Sequence, residues 1–260
     1  DVTHMEALDD GSRLFLSDDS SLDCDLAVLA DGGRSGLREQ LGIAVRHTPY
    51  DQCALIANIS PAEPHAGQAF ERSTEQGPLA LLPLPDKRCA LVWTRPPVGA
   101  ERLQQLPDRE FLAELQQAFG YRLGALRQVG ARHVYPLALV EATGQVRPHP
   151  VILGNAAHSL HPVGGQGFNL SLRDAQALAE TLLAGGEQPG DFAGLQRYLA
   201  RQSQDQALTV GFSDRVTRLF GRDESLLVAG RTLGLLGLDL LPPAKRWFAR
   251  QAMGLGTRSL

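Results

Sequence analysis

The stretch that decides the fold runs from residue 151 to residue 179 and reads VILGNAAHSLHPVGGQGFNLSLRDAQALA. Its first three residues are apolar and few enough for a buried parallel strand, which Gly154 ends. A loop with Pro162 and three glycines follows. From Phe168 onward, apolar residues recur at helical spacing at Leu172, Ala175, Leu178 and Ala179. The pattern predicts a strand, a glycine-rich loop and a helix, in that order.

The loop glycines, Gly164, Gly165 and Gly167, lie where the predicted helix starts. Glycine lets the backbone approach a ligand closely, and the free N–H groups at a helix start favour a negatively charged partner. Many α/β proteins nevertheless carry such a loop for packing reasons only. Taken alone, the loop therefore leaves ligand binding and packing equally open.

A second motif, DGGRSGLR at residues 31–38, follows the apolar residues 26–30, which predict a buried strand. Ligands of open α/β sheets bind outside the carboxyl ends of the strands, so Asp31 is placed to contact one. Its side chain can accept hydrogen bonds from a sugar hydroxyl, although an aspartate before glycine more often forms a cap or a turn. Arg34 and Arg38 fit either a cofactor contact or a cation on the surface of a helix.

Two longer patterns run through these motifs. Residues 154–169 contain G-N-A-A-H and P-x-x-G-Q-G-x-N, with Asp174 beyond them. They resemble one flavin-binding fingerprint of the FAD-dependent aromatic monooxygenases, and residues 31–38 (D-G-x-x-S-x-x-R) resemble the other. Segments such as QAFER at 68–72 and YPLAL at 135–139 are similar to the ubiquinone-pathway branch, in particular to the 2-octaprenyl-6-methoxyphenol hydroxylases. The resemblance covers nearly the whole chain.

The resemblance implies an α/β fold: an incomplete, Rossmann-like FAD-binding domain with an inserted, mostly antiparallel β-sheet substrate domain and a helical C-terminus. The implied segments are a partial FAD-binding domain at 1–45, the substrate sheet at 46–147, the rest of the FAD-binding domain at 148–190 and C-terminal helices at 191–260. The residue pattern itself predicts strands at 53–59, 68–72, 79–84, 89–94 and 133–139, helices at 108–119, with Asp108 as N-cap, and at 192–220. Candidates for an apolar substrate pocket, or for ordinary core, are Phe70, Leu82, Pro83, Trp93 and Tyr135.

The same resemblance implies a set of cofactor contacts: Asp31, Gly32, Arg38, Gly154, Asn155, Pro162, Gly164, Gly165, Gln166, Gly167, Phe168 and Asn169. Asn155 stands where the family has an aspartate that bonds the ribityl hydroxyls. Asparagine still accepts hydrogen bonds but carries no charge, which leaves an active enzyme and an inactive homologue open. We expect His158 to form a buried hydrogen bond, and His161 is the one candidate for proton transfer.

The activity implied by the resemblance is FAD-dependent hydroxylation of a polyprenylated phenol in ubiquinone biosynthesis, with NAD(P)H and O2, through a flavin hydroperoxide. Two alternatives stay open. The substrate could be another apolar aromatic compound, or the protein could be a non-catalytic subunit of a membrane-associated assembly for ubiquinone biosynthesis. The missing charge at Asn155 is the feature that favours the second alternative.

The family opens with a βαβ unit carrying G-x-G-x-x-G, which binds the FAD pyrophosphate, and this chain contains no such motif. It also begins without methionine, in residues typical of a strand. These features predict a fragment that lacks about the first third of its parent, binds little or no FAD and is inactive by itself. A shorter, complete relative is the alternative.

Composition limits the function classes. The chain has 260 residues, of which 43% are hydrophobic and 21% charged, as is typical of globular proteins. A net charge of −4 gives no indication of nucleic-acid binding. Cys24, Cys53 and Cys89 share no metal-binding spacing, and their odd number favours reduced thiols in the cytoplasm. His158 and His161 lie without cysteine or carboxylate close by in the sequence, so no metal site is predicted.

The C-terminal segment, residues 226–260, has a different character. Its first part, 226–241, is mostly apolar, and its second part contains Lys245, Arg246, Arg250 and Arg258 with no acidic residue. Trp247 and Phe248 lie among these cations. Such a segment fits a peripheral contact at the inner membrane face as well as a helical pair packed on the domain or on a partner subunit. Arg231 and Asp239 argue against a membrane span.

Overall fold

The computed structural model describes residues 1–74, 76–162, 165–185, 188–220, 237 and 240–252. Two compact units divide the chain: residues 1–48 and 139–217, with helix 242–252, form the first, and residues 49–138 form the second. The strands are β1 (Val2–Ala7), β2 (Ser12–Leu16), β3 (Ser21–Cys24), β4 (Ala27–Leu29), β5 (Val45–Pro61), β6 (Phe70–Thr74), β7 (Gly77–Pro83), β8 (Cys89–Arg95), β9 (Leu126–Val129), β10 (His133–Ala142), β11 (Pro150–Ile152) and β12 (His158–Ser159). The helices are α1 (Gly36–Gln40), α2 (Pro97–Gln105), α3 (Asp108–Phe119), α4 (Gln166–Gly185), α5 (Phe192–Phe220) and α6 (Pro242–Ala252).

The first unit opens with an antiparallel sheet in the order β1-β2-β3. Ala7 pairs with Ser12, and the N–H of Leu8 donates to the carbonyl of Gly11 at 2.9 Å to close the turn. Position 11 requires glycine because an added Cβ would lie 2.6 Å from the carbonyl oxygen of Cys24.

Strands β4 and β11 form the parallel pair that holds the two sequence motifs. Val28 lies opposite Val151, and the N–H of Leu153 donates to the carbonyl of Leu29 at 2.8 Å. Ile152 is fully buried, as the sequence predicts. Val28, however, is 47% exposed while Ala27 and Leu29 are buried, so the predicted buried strand at 26–30 is buried on one face only. The pairing brings the residues that follow the two strands to the same edge.

Helix α4 begins at Gln166, two residues before the predicted start, and its buried face shares only Leu178 with the predicted apolar stripe. Leu170, Ala177 and Leu178 are buried, whereas Leu172 is 59% exposed. Of the predicted stripe, only Leu178 is buried, whereas Ala175 and Ala179 are exposed like Leu172, and Asp174 lies at the centre of the buried face. Leu178 packs with Val151 of β11 and with two residues of α5, Leu195 and Tyr198.

The second unit is built on an antiparallel sheet in which β5 pairs with β8, β8 with β7 and β7 with β6, while β9 also pairs with β5. The predicted strands are therefore confirmed, with most boundaries within three residues, although β5 begins eight residues before its predicted start. Helix α3 covers one face, where Phe111 meets Trp93 edge to face with ring centroids 6.2 Å apart. Trp93 thus belongs to the core, while Leu82 and Tyr135 are exposed.

Two local predictions in this unit need correction. Helix α2 was not predicted. Asp108 is the first residue of α3 and not its cap; the cap position is Pro107, which has no side-chain cap bond. The Asp108 carboxylate instead accepts a hydrogen bond from Arg132 Nη2 at 3.0 Å.

At the C-terminus, the ring of Phe248 in α6 packs against Phe212 of α5 with centroids 5.6 Å apart. The rest of the predicted apolar run at 226–241 and Arg258 lie outside the described residues, apart from positions 237, 240 and 241. In the part of the chain that the structure describes, every helix is too short or too polar to traverse a bilayer.

Candidate functional site

The two motifs meet at the carboxyl edge of the β4–β11 pair. Asp31 follows β4 and is exposed, and Gly154 follows β11 with φ +62° in a short 3₁₀ turn, Gly154–Ala156. The loops are close neighbours, since a Cβ added to Gly33 would lie 3.7 Å from the carbonyl oxygen of Asn155. Asn155 itself is exposed. The structure therefore places an exposed carboxylate and an exposed amide on neighbouring loops, at the strand ends where ligands of α/β sheets bind.

Arg38 connects the two loops by donating hydrogen bonds to a backbone carbonyl in each of them. Ser35 caps α1 by accepting a hydrogen bond from the backbone N–H of Arg38 at 3.0 Å. The Arg38 side chain is only 3% exposed, and Nη1 donates to the carbonyl of Ala156 at 3.0 Å while Nη2 donates to that of Gly33 at 3.3 Å. Arg38 is therefore not a surface cation, whereas Arg34 is exposed.

The glycine-rich loop presents open backbone at the start of α4. Gly165 is exposed with φ +63°, and its N–H donates to the carbonyl of Pro162 at 3.1 Å. A Cβ added to Gly165 would meet no atom within 4 Å, and Pro162 is also exposed. Gly164 lies outside the described residues.

The first turn of α4 contains both buried and exposed side chains. Gln166 is buried, Asn169 is partly exposed and Phe168 is 77% exposed. The partial positive charge at the start of this 20-residue helix favours a negatively charged group there.

A chain of buried and part-buried polar side chains begins at His158, close to the glycine-rich loop in the sequence. His158 Nε2 lies 2.6 Å from Asp174 Oδ2, and Gln206 Nε2 donates to Asp174 Oδ1 at 3.0 Å. Gln206 and Gln145 exchange two amide hydrogen bonds at 2.9 and 3.0 Å. The predicted buried hydrogen bond of His158 is confirmed. This network, His158–Asp174–Gln206–Gln145, connects β12, α4, α5 and the segment before β11.

The hydrogen-bond partners of His158 indicate which of its two ring nitrogens carries the proton. His158 Nδ1 is buried and has no hydrogen-bond partner among the described residues. The ring proton therefore belongs on Nε2, which donates to Asp174. Close by, burial and then the charge of Asp174 raise the pKa of the Tyr198 phenol, so Tyr198 stays neutral.

His161 is fully buried, and that burial lowers its pKa to about 4. The ring is therefore neutral at physiological pH, which disfavours the proton-transfer role considered for it. Among the described residues, no three His, Cys, Asp or Glu side chains are arranged to hold a metal ion.

Most of the hydrogen bonds and ion pairs that hold the site residues in place were not predicted from the sequence. Sequence reasoning did not find the bonds of Arg38 to Ala156 or of Gln206 to Asp174, nor the ion pair of Arg173 Nε with Asp205 Oδ2 at 2.6 Å. One signal was available: Gln202, Gln206 and Thr209 recur at helical spacing along α5, and all three are buried.

Comparison with known proteins agrees with this geometry. A family model described as "FAD binding domain" matches residues 10–213. The chain belongs to this FAD-binding domain family. It is 40% identical over 248 residues to ubiquinone hydroxylase UbiL of Rhodospirillum rubrum, covering 94% of this chain and 58% of that protein. It is 30% identical over 250 residues to 3-demethoxyubiquinol 3-hydroxylase of Escherichia coli, covering 95% of this chain and 64% of that protein.

The fold also matches solved structures. The crystal structure of p-nitrophenol 4-monooxygenase PnpA from Pseudomonas putida superposes with a TM-score of 0.78 at 17% identity, over 100% of this chain and 67% of that chain. These matches confirm the predicted α/β fold class and the predicted FAD-binding family, and the relatives named here agree with the predicted resemblance to hydroxylases of ubiquinone biosynthesis. The chain spans little more than half the length of UbiL.

FAD is the cofactor of this family, and the residues present fit it. Its sugar and ribityl hydroxyls need hydrogen-bond acceptors and donors, and the exposed side chains of Asp31 and Asn155 would offer them. The negative charge that the ring system carries when reduced would be favoured by the partial positive charge at the start of α4, beside the exposed backbone of Gly165.

Proposed function

We propose that the protein carrying this chain is an FAD-dependent monooxygenase that hydroxylates a polyprenylated phenol in ubiquinone biosynthesis, with NAD(P)H and O2 as cosubstrates. The observation that supports the proposal most is the meeting of the two fingerprints at the ends of β4 and β11. The relatives named as ubiquinone hydroxylases, which match almost the whole chain, support the choice of substrate class.

The proposal gives each exposed residue of the site a role toward FAD. Asp31 accepts hydrogen bonds from a sugar hydroxyl, and Asn155 bonds the ribityl hydroxyls through its amide. Pro162 and the backbone of Gly165 lie beside the ring system. The further assigned contacts are Gly32, Gly154, Gly164, Gln166, Gly167, Phe168 and Asn169. When bound, FAD supplies the redox chemistry, while the chain binds, orients and polarises it.

The polar residues behind the site keep these contacts in place. The N–H groups at the start of α4 are positioned to stabilise negative charge on the flavin ring. Asp174 anchors α4 from within through its bond to His158. Because His161 is neutral at physiological pH, it adds no charge to the glycine-rich loop that follows it.

Activity of the full-length protein tests the proposal. We expect a prenylated phenol to stimulate NAD(P)H oxidation and to gain one oxygen atom, measured by absorbance at 340 nm and by mass spectrometry of the product. Stimulation only by phenols without a prenyl chain would favour another apolar aromatic substrate. Bound FAD without stimulation by any phenol would favour the non-catalytic subunit.

We also propose that α6 contacts an anionic membrane surface, where a prenylated substrate resides. Phe248 anchors the helix on Phe212, while Trp247 on the adjacent face is 61% exposed. The exposed Leu240 and Leu241 lie just before the helix. Lys245, Arg246 and Arg250 provide positive charge without an acidic residue in 240–252. Exposed Trp and Leu side chains beside cations are typical of interfacial helices.

Vesicle binding tests the role of α6. The full-length protein should sediment with vesicles that contain anionic lipid and much less with zwitterionic vesicles. Trp247→Ala should reduce this binding several-fold, whereas Tyr121→Ala, which removes an exposed aromatic ring from the second unit, should leave it unchanged. Equal binding by both variants and the unaltered protein would show that α6 is not the contact.

A further inference from the structure

Arg38 is a buried cation without an acidic partner. Its side chain is 3% exposed, and no aspartate or glutamate among the described residues forms an ion pair with it. Buried arginines are usually paired with a carboxylate or bound to a phosphate. Arg38 instead donates to two backbone carbonyls, so its role differs from that of an ordinary core ion pair.

The two carbonyls belong to different fingerprint loops. Gly33 lies two residues after Asp31, and Ala156 directly follows Asn155. The residues that would contact FAD are therefore immediate neighbours of the carbonyls that Arg38 holds. The two loops are also close neighbours, because a Cβ added to Gly33 would lie 3.7 Å from the carbonyl oxygen of Asn155.

We propose that Arg38 is a positioning residue that links the two cofactor loops and sets the spacing between Asp31 and Asn155, and that it is not a ligand of the cofactor. This inference rests on the proposed function, because the ligand whose binding depends on that spacing is FAD. A planar guanidinium can donate to two acceptors in fixed directions at once, whereas a lysine ammonium is a single point of charge. The link therefore requires arginine and not merely a cation.

The rival role for Arg38 is a direct contact with a phosphate of the cofactor. Each Nη atom donates to one carbonyl, which leaves a second N–H on each Nη, and Nε–H, buried and without a partner among the described residues, as donors for such a contact. The two roles differ in what Arg38→Lys should do. A phosphate contact tolerates lysine in part, because charge supplies most of the attraction, while the two-carbonyl link does not.

Hydrogen exchange in the ligand-free full-length protein tests the link without FAD. In Arg38→Met and in Arg38→Lys, the amides of residues 32–33 and 155–157 should exchange faster together. Arg34→Met, an exposed cation of the same motif, is the matched control and should leave both loops unchanged. Faster exchange in only one of the two loops would overturn the proposal.

FAD binding to the same variants separates positioning from direct contact. We expect both Arg38 variants to weaken FAD binding about ten- to hundredfold, with the salt dependence of Kd unchanged from the unaltered protein. Recovery of affinity in Arg38→Lys, with a smaller salt dependence in Arg38→Met, would identify a direct ligand and overturn the proposal. A lower melting temperature with unchanged Kd would also overturn it. If the unaltered protein binds no FAD while the two loops still loosen together, the proposed function fails and the link stands.

Discussion

Asp174 is a fully buried carboxylate in the middle of α4, and its surroundings explain how the helix tolerates it. His158 and Gln206 each donate to one of its oxygens. A buried charge without such donors would destabilise the fold by several kcal/mol. The two donors come from β12 and α5, so Asp174 fixes the helix against both.

Replacing Asp174 with asparagine should destabilise the chain by about 1–3 kcal/mol, because the amide can accept only one of the two donated hydrogen bonds. Urea unfolding measures the change. Asp9→Asn, an exposed carboxylate without a close partner, serves as the control and should change the free energy of unfolding by less than about 0.5 kcal/mol. Equal effects of the two changes would contradict the role of the network.

His161 gives the stability a pH dependence whose sign follows from its lowered pKa. Its pKa is about 4 in the folded chain, below the ordinary value of 6.5, because burial disfavours the charged ring. Between these values the unfolded chain binds more protons, so the stabilisation is present above pH 6.5 and is lost as the pH falls toward 4.

We expect His161 to account for a loss of about 2 kcal/mol between pH 7 and pH 5. Urea unfolding at the two pH values should show this loss diminished in His161→Gln. His47→Gln, which changes an exposed histidine, should retain the full loss. An unchanged pH dependence in His161→Gln would show that this ring does not titrate as described.

At the scale of elements, α4 shows where pattern analysis succeeds and where it fails. The strand, loop and helix were all predictable, because apolar spacing and glycine placement are local properties. The buried face was not, because Asp174 is buried through its contacts with His158 and Gln206, which are distant in sequence. The bond from Arg38 to Ala156 spans 118 residues and is likewise invisible to local reasoning. The prediction that Asp108 caps α3 was wrong for a different reason. Pro107 occupies the cap position, and the Asp108 carboxylate accepts a hydrogen bond from Arg132.

Two leucines on α4 test which face is buried. Leu170→Ala should cost about 2–5 kcal/mol, because Leu170 is fully buried and the change leaves a cavity. Leu172→Ala on the exposed face should cost less than about 0.5 kcal/mol in the same chain. Urea unfolding compares the two directly. A larger loss of unfolding free energy in Leu172→Ala than in Leu170→Ala would show that the face predicted from the sequence pattern is the buried one.

At the scale of the whole molecule, each unit has its own buried core. In the first, Met5, Leu29 and Ile152 cluster beside the β4–β11 pair, and in the second, Leu55, Leu91 and Trp93 lie under α3. The segment boundaries predicted from the resemblance, at 45 and 147, stay predictions, as do the roles of the individual site residues. The sequence did predict that the chain contains two flavin-binding fingerprints, and the fold brings them to the same edge of the β4–β11 pair.

The affinity of the full-length protein for FAD tests most directly whether the ends of β4 and β11 form one cofactor site. Flavin fluorescence quenching on titration would give Kd for the unaltered protein and for Asp31→Ala, Asn155→Ala and the control Asp9→Asn. We predict that the first two changes each weaken binding about tenfold or more, since each removes hydrogen bonds to the cofactor, and that the control does not. FAD binding of equal strength in all four proteins would contradict the site.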